Sequence, residues 1–328
     1  MNSPWQIALK TIIAVSALGC FVPASAQDAA KNYPDKPIRV VVPISAGSAT
    51  DTTARFVSNA LSKAWNVPVV VDNKPGAGVS LGTDMVAKSA ADGYTLLFTY
   101  AAHYSQTMVQ PTSYDPVKDF EPIAQLVDTQ LVMAVRADSP FKTVADVISA
   151  AKAKPGSVSY GFAGIGTTGH MCGALFEQMA GVKLNGVPYK SASQVPIDTA
   201  SGQTDLMFGG TASAMPLIRD NRLRVLATTG SMRTAALPGT RLLAEFGLPG
   251  YEVSSPVWMM APRGTPPAII RKLSDELVRI AGTPEFKEMS LKLAIDPAPL
   301  KTEALNANVP REIIKWRRLV DLTQPSGK

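Results

Sequence analysis

Two stretches of this chain carry residue types that can hold an anion without help from a cation. In Ile38 to Asp51 (IRVVVPISAGSATD) and in Val158 to His170 (VSYGFAGIGTTGH), a short β-prone run gives way to a glycine-containing loop and then to a helix start. The first N–H groups of a helix have no partner inside it, and the aligned peptide dipoles leave about half a positive charge there. Each stretch therefore reads as an anion cradle. The first contains no Lys or Arg between Pro43 and Asp51, so the backbone of Ile44, Ser45, Ala46, Gly47 and Ser48, the hydroxyls and the helix dipole must carry any binding. Contacts of that kind contribute roughly 0.3–1 kcal/mol each. Asp51 sits awkwardly beside an anion, and its expected role is to accept hydrogen bonds from loop amides or the helix start so that the other N–H groups keep their aim. In the plainer reading, Thr50 or Asp51 is only a helix cap. The second cradle comprises Gly164, Ile165, Gly166, Thr167 and Thr168, and His170 just beyond is placed either to orient the loop or to touch a ligand.

Other chemistries find less support in the spacing. Gly164 to Gly169 (GIGTTG) satisfies GxGxxG between a strand and a helix, but the next strand, around Val187 to Tyr189, ends in Lys190 and Ser191 where a dinucleotide site needs an acid for the ribose. That leaves a carboxylate cradle or a tight turn. Gly78 to Gly82 (GVSLG) matches the nucleophile elbow of a serine hydrolase, yet Asn73 to Ala77 separates Ser80 from its strand. Only His103 and His170 could serve as its base, and neither lies near the C-terminus. With two histidines, no HExxH and no carboxylate cluster at ligand spacing, no metal site is expected, and no cofactor is called for.

The elements that would position the cradles are an alternation of strands and helices. Strands are predicted at Ile38 to Val42, Pro68 to Asp72, Thr95 to Thr99, Leu131 to Arg136, Val158 to Phe162, Asp205 to Phe208, Arg224 to Thr228 and Val253 to Met260. Between Asp51 and Ala64, the spacing of Ala54, Val57, Ala60, Leu61 and Ala64 predicts one buried helix stripe, and Thr143 to Ala153 predicts another helix, stopped by Pro155-Gly156. This alternation implies an α/β architecture with mainly parallel sheets, whose ligands bind beyond the carboxyl ends of the strands. With 328 residues and no long polar linker, the expectation is a two-lobed clamshell that the chain crosses twice. Residues 27–128 with 252–328 would form one lobe and 129–251 the other. At the N-terminus, Lys10, the apolar run Thr11 to Val22 and Ala24-Ser25-Ala26 read as a signal peptide spanning residues 1–26. Cys20 after Leu18-Gly19 fits a lipidation site poorly, and cleavage at Ala26 leaves Cys172 alone, without a disulfide partner. Loss of Lys10 takes the net charge from +6 to +5. The basic cluster Arg311, Lys315, Arg317 and Arg318 reads as a solvated helix face, because no nucleic-acid motif accompanies it.

Over nearly the whole mature chain, the sequence resembles the Bug-type, or TctC-like, solute-binding proteins of tripartite tricarboxylate transporters. The resemblance rests on Tyr33 to Ile38, Val71 to Gly78 (VDNKPGAG), Asp92 to Leu97, Tyr114-Asp115-Pro116 with Lys118-Asp119-Phe120, Val187 to Lys190, Asp205 to Phe208 and Leu248 to Glu252. It implies a monomeric periplasmic protein of the type II binding-protein fold, without catalytic activity, that closes over a small mono-, di- or tricarboxylate, aromatic acids included. It also implies large and small membrane permease subunits as partners. The resemblance assigns one carboxylate to the two loops, largely through backbone amides and bridging waters, with Tyr189 and Asp205 at or beside the second loop. Ser48 stands where the family usually has a second glycine, which would put a hydroxyl inside the first cradle. Two further readings stay open: a ligand sensor docking on a two-component kinase, and a secreted hydrolase using Ser80.

Overall fold

The computed structural model describes residues 31–323. The expected signal peptide, its cleavage site and Cys20 lie outside the described residues. The first half opens with β1 (Ile38–Val42), whose valines are buried while Arg39 reaches outward to Asp72. Helix α1 (Ala49–Trp65), β2 (Val69–Asn73), a 3₁₀ turn (Ala77–Val79), α2 (Ser80–Ala87), β3 (Thr95–Tyr100) and α3 (Ala102–Val109) follow. β1 pairs in parallel with β2 and β3. On α1 the buried stripe runs through Ala54, Val57 and Leu61 as expected, but it also takes in Thr53 and Ser58 and leaves Ala64 exposed. Thr53 tolerates burial because its hydroxyl donates to the Ala49 carbonyl one turn back (2.8 Å).

β4 (Phe120–Arg136) is far longer than Leu131 to Arg136. Pro122 and Asp128 disguise its first half, and register shifts at Pro122/Ala124 and Gln125/Val127 absorb the irregularity. The second half continues with α4 (Val144–Ala153), β5 (Ser159–Phe162), α5 (Thr168–Ala180), β6 (Asn185–Pro188), α6 (Gln194–Ser201), β7 (Leu206–Gly210), α7 (Thr211–Arg219) and β8 (Leu223–Thr228). Thr143 caps α4 through a reciprocal box with Asp146. β5 pairs in parallel with β6 and β7. The chain then returns through β9 (Ser254–Pro262), α8 (Pro267–Ala281), α9 (Pro284–Leu293), β10 (Asp296–Lys301) and α10 (Thr302–Thr323).

The hydrogen-bonded order is β2-β1-β3-β9-β4-β7-β5-β6, with β8 and β10 also pairing β4. The sheet is mixed, because every ladder made by β4 and β9 is antiparallel. From Phe120 to Gln130, β4 belongs with β9; from Leu131 to Arg136 it belongs with β7 and β8. One strand thus serves both halves. α10 adds a second tie, since its buried Leu305, Trp316, Leu319 and Val320 join a core that includes Trp258 and Tyr104 of the first half and Phe176 and Phe208 of the second. The basic face expected on α10 is not wholly solvated: Lys315 is largely buried, 3.0 Å from Glu252. Helix packing holds that side chain down.

Candidate functional site

Strand registers fix where both glycine loops lie. Val41 of β1 aligns with Leu97, Leu97 with Met260, and Met260 with Pro122; Tyr100, at the end of β3, aligns through Val257 with Val127. The carboxyl ends of β1 and β3 therefore run toward the middle of β4. In the other half Gly161 aligns with Met207, Met207 with Ala134 and Gly210 with Leu131, so the carboxyl end of β5 runs toward that same middle from the opposite side. Both loops leave strand ends directed at the stretch Thr129 to Leu131, where the two sheet halves meet.

The first loop is built on a buried carboxylate. Asp51 takes the Gly47 N–H at 2.9 Å, Arg55 Nε at 3.0 Å and Asn73 Nδ2 at 2.8 Å. Burial by itself would raise the pKa of Asp51, but the hydrogen bonds from Arg55, Gly47 and Asn73 and the Arg55 charge outweigh it and hold the carboxyl below its usual range. Asn73 also donates to the Ile44 carbonyl (3.1 Å), and Arg55 reaches its Oδ1 (2.7 Å). Ser48 Oγ accepts from the Asp51 N–H at 3.1 Å as the cap of α1, which commits one of its lone pairs to the helix start. With Gly47 held inward at φ +87°, the N–H groups of Ser45, Ala46, Ser48, Ala49 and Thr50 have no acceptor among the described residues. The structural role anticipated for Asp51 is what the geometry displays. Asn73 and Arg55, its partners, escaped the sequence reading, although Asn73 lies inside the VDNKPGAG string.

The second loop repeats the plan with different chemistry. Gly164 (φ +103°) and Gly166 (φ +78°) bracket Ile165, whose side chain is 77% exposed. Phe162 O accepts from Gly164 N–H (2.9 Å) and Tyr189 N–H (2.8 Å), and Thr167 Oγ1 donates back to Gly164 O (2.7 Å). Gly166 N–H donates to His170 Nδ1 at 3.2 Å. Ile165 N–H and the first-turn N–H groups of Thr168, Gly169 and His170 have no acceptor among the described residues. His170 is thus tied to the loop through the Gly166 amide.

Two expected site residues move away. Asp205 precedes β7 and accepts from the Ser159 amide (2.8 Å) and hydroxyl (2.6 Å), at the amino ends of β5 and β7. The length of those strands separates its carboxylate from the loop, so its work is to pin two strand starts together. Tyr189 borders the loop only through its backbone. Its ring packs over Gly161, and Asp198 and Thr204 face its phenol. Tyr100 ends β3 and packs, like Ile44 and Ala49, against the core of this half, and its phenol has no hydrogen-bond partner among the described residues.

The elbow reading of Ser80 fails on geometry. Ser80 opens α2 after a left-handed Val79 (φ +83°), with residues 74–79 between it and the end of β2, and its Oγ is buried. His103 is buried too, with Nε2 on the Pro116 carbonyl at 2.8 Å, and burial pushes its pKa down to about 4. A solvent-inaccessible hydroxyl cannot meet a substrate carbonyl.

Comparison with known proteins places this geometry in context. A family model described as the tripartite tricarboxylate transporter family receptor, TctC, matches residues 53–324. An R. palustris protein solved with adipate, Rpa4515, is 31% identical with a TM-score of 0.78, the match covering 89% of this chain and 98% of that one. The periplasmic binding protein BugD is 31% identical with a TM-score of 0.73, covering 89% and 98%. MatC from Rhodopseudomonas palustris, solved with malate, is 27% identical with a TM-score of 0.72, covering 88% and 100%.

Proposed function

Because the chain belongs to the tripartite tricarboxylate transporter receptor family, we propose that it is a periplasmic solute-binding protein that takes one carboxylate of a small organic acid between the loops Ile44–Ser48 and Gly164–Thr168. It closes over that acid and delivers it to the large and small subunits of a membrane permease. The observation that carries this reading is the pair of loops at strand ends aimed at the middle of β4, each presenting unpaired N–H groups at a helix start and neither containing a lysine or arginine. Such a site suits a group that accepts several hydrogen bonds and carries about one negative charge. Adipate and malate in the two R. palustris relatives support the ligand class. Among the described residues no helix is long and apolar enough to cross a membrane.

The test is thermal unfolding of the mature chain with adipate, malate and the uncharged adipamide. A true ligand present at about 100 times its Kd stabilises the native state by about 2.7 kcal/mol. A shift with one of the acids and none with adipamide is expected. No shift with either acid, nor with a wider set of mono-, di- and tricarboxylates, would refute the reading.

A further inference from the structure

The two loops share a device that sequence spacing alone does not display. In each, a glycine of positive φ has its N–H drawn inward by the side chain four residues later: Gly47 by Asp51 (2.9 Å) and Gly166 by His170 (3.2 Å). The acceptors differ in charge. Asp51 is ionised and compensated by Arg55 and Asn73. His170 has no hydrogen-bonded partner other than Gly166 among the described residues, and its ring lies flat on Phe162 with centroids 4.7 Å apart and planes at 11°. Burial lowers its pKa, against a smaller upward pull from Glu177, so at neutral pH the ring keeps a lone pair for Gly166.

Crowding does not enforce the loop shape. A Cβ added at Gly166 would meet nothing within 4 Å, so no neighbour crowds that position, and the contacts made there are the hydrogen bonds of Gly166 with His170 and of Thr167 with Gly164. Phe162 anchors both ends of the arrangement, its carbonyl receiving the N–H groups of Gly164 and Tyr189 and its ring setting the plane of His170.

We propose that His170 is the positioning residue of the second loop: its Nδ1, accepting from Gly166 N–H, turns that amide inward and leaves Ile165 and Thr168 N–H as the outward donors to the bound carboxylate. The inference rests on the carboxylate reading above. It also explains why an imidazole, and not a second aspartate, occupies the place. Two anionic clasps beside one bound carboxylate would repel it, whereas a neutral nitrogen supplies the acceptor and adds no charge. His170 itself does not touch the ligand.

The experiment uses the full mature chain and two substitutions. His170→Asn keeps an acceptor, because the amide Oδ1 can take the place of Nδ1, and His170→Leu keeps bulk without an acceptor. Affinity for adipate and malate is measured by calorimetry and the midpoint of unfolding is followed in parallel. In the wild type, the scalar nitrogen–nitrogen coupling across the hydrogen bond between Gly166 N–H and His170 Nδ1 is measured by NMR. The expected result is a resolved coupling, affinity within about threefold of wild type for His170→Asn, and a loss of about tenfold or more for His170→Leu, the scale of one lost hydrogen bond. Wild-type affinity in His170→Leu overturns the proposal, as does a His170→Asn variant as weak as His170→Leu. If His170→Leu does not fold, the coupling decides, and its absence overturns the clasp. If wild type binds neither acid, nor any of the wider set of carboxylates, while the coupling is present, it is the carboxylate reading that fails.

Discussion

At the scale of single residues, the first loop depends on a carboxylate whose partners are all internal. Asp51→Ala would strand the Gly47 N–H and Asn73 Nδ2 that it now satisfies. The expected cost is about 1–3 kcal/mol of stability, read from urea midpoints, together with weaker ligand binding. Gly47→Val and Gly166→Val test the loops differently. Both glycines sit at positive φ with open space where a Cβ would project, so the valine strains the loop without disturbing the core. Binding should vanish while the protein stays folded, at a melting temperature lowered by a few degrees by the strain, and wild-type affinity in both variants would reduce the loops to turns. His103 governs a separate property. Its folded pKa of about 4 lies below the ordinary value near 6.5, so between the two the unfolded chain takes up a proton that the native ring refuses. Stability from this group is complete above about pH 6.5 and is lost as pH falls toward 4, to the order of 3 kcal/mol. His103→Gln, which can keep a donor to Pro116 O, should flatten that part of the stability profile; an unchanged difference between pH 7 and pH 4.5 would assign the acid sensitivity elsewhere.

Among the elements, those with regular patterning were legible. β1, β3 and α4 lie within a residue or so of the sequence reading, because β-branched runs, helical spacing and a capping threonine act locally. β10 was not, and β6, read around Val187 to Tyr189, begins two residues earlier. β6 is four residues, Asn185–Pro188, and β10 contains Pro297 and Pro299, which a strand accepts only where their missing N–H groups are not needed. The first half of β4 hid behind Pro122 in the same way. α10 has a role that no local pattern reveals, since its apolar face spans both halves. Trp316 is 1% exposed in that shared core, with Nε1 donating to Glu312 at 2.9 Å. Trp316→Ala is expected to cost about 3–5 kcal/mol. Both halves should lose stability together, in a single denaturant transition with unchanged slope. Two separated transitions would show that α10 stabilises one half only.

For the whole molecule, the two sheet halves share β4, the return of the chain into β9 and the buried face of α10. The chain links between them are β4 and the return into β9, and hinge closure on a ligand would bend these while repacking the shared core. Small-angle scattering should therefore give a smaller radius of gyration with saturating adipate than without, and calorimetric binding with no change in that radius would rule closure out. By itself, the sequence determined the α/β alternation, the positions of both glycine loops and the family, because backbone propensity, apolar spacing and short strings are local properties that survive without coordinates. Only the tertiary structure decided which groups those loops present. The acceptors that turn the Gly47 and Gly166 amides lie only four residues on, but the groups that hold those acceptors in place, Asn73 donating to Ile44 and Asp51 and the Phe162 ring beneath His170, are brought there by the fold and not by that spacing. Asp205 stands at the amino end of its strand, away from the loop, where its place as the first residue of the predicted strand already put it, and pairing with β5 gives it Ser159 to hold.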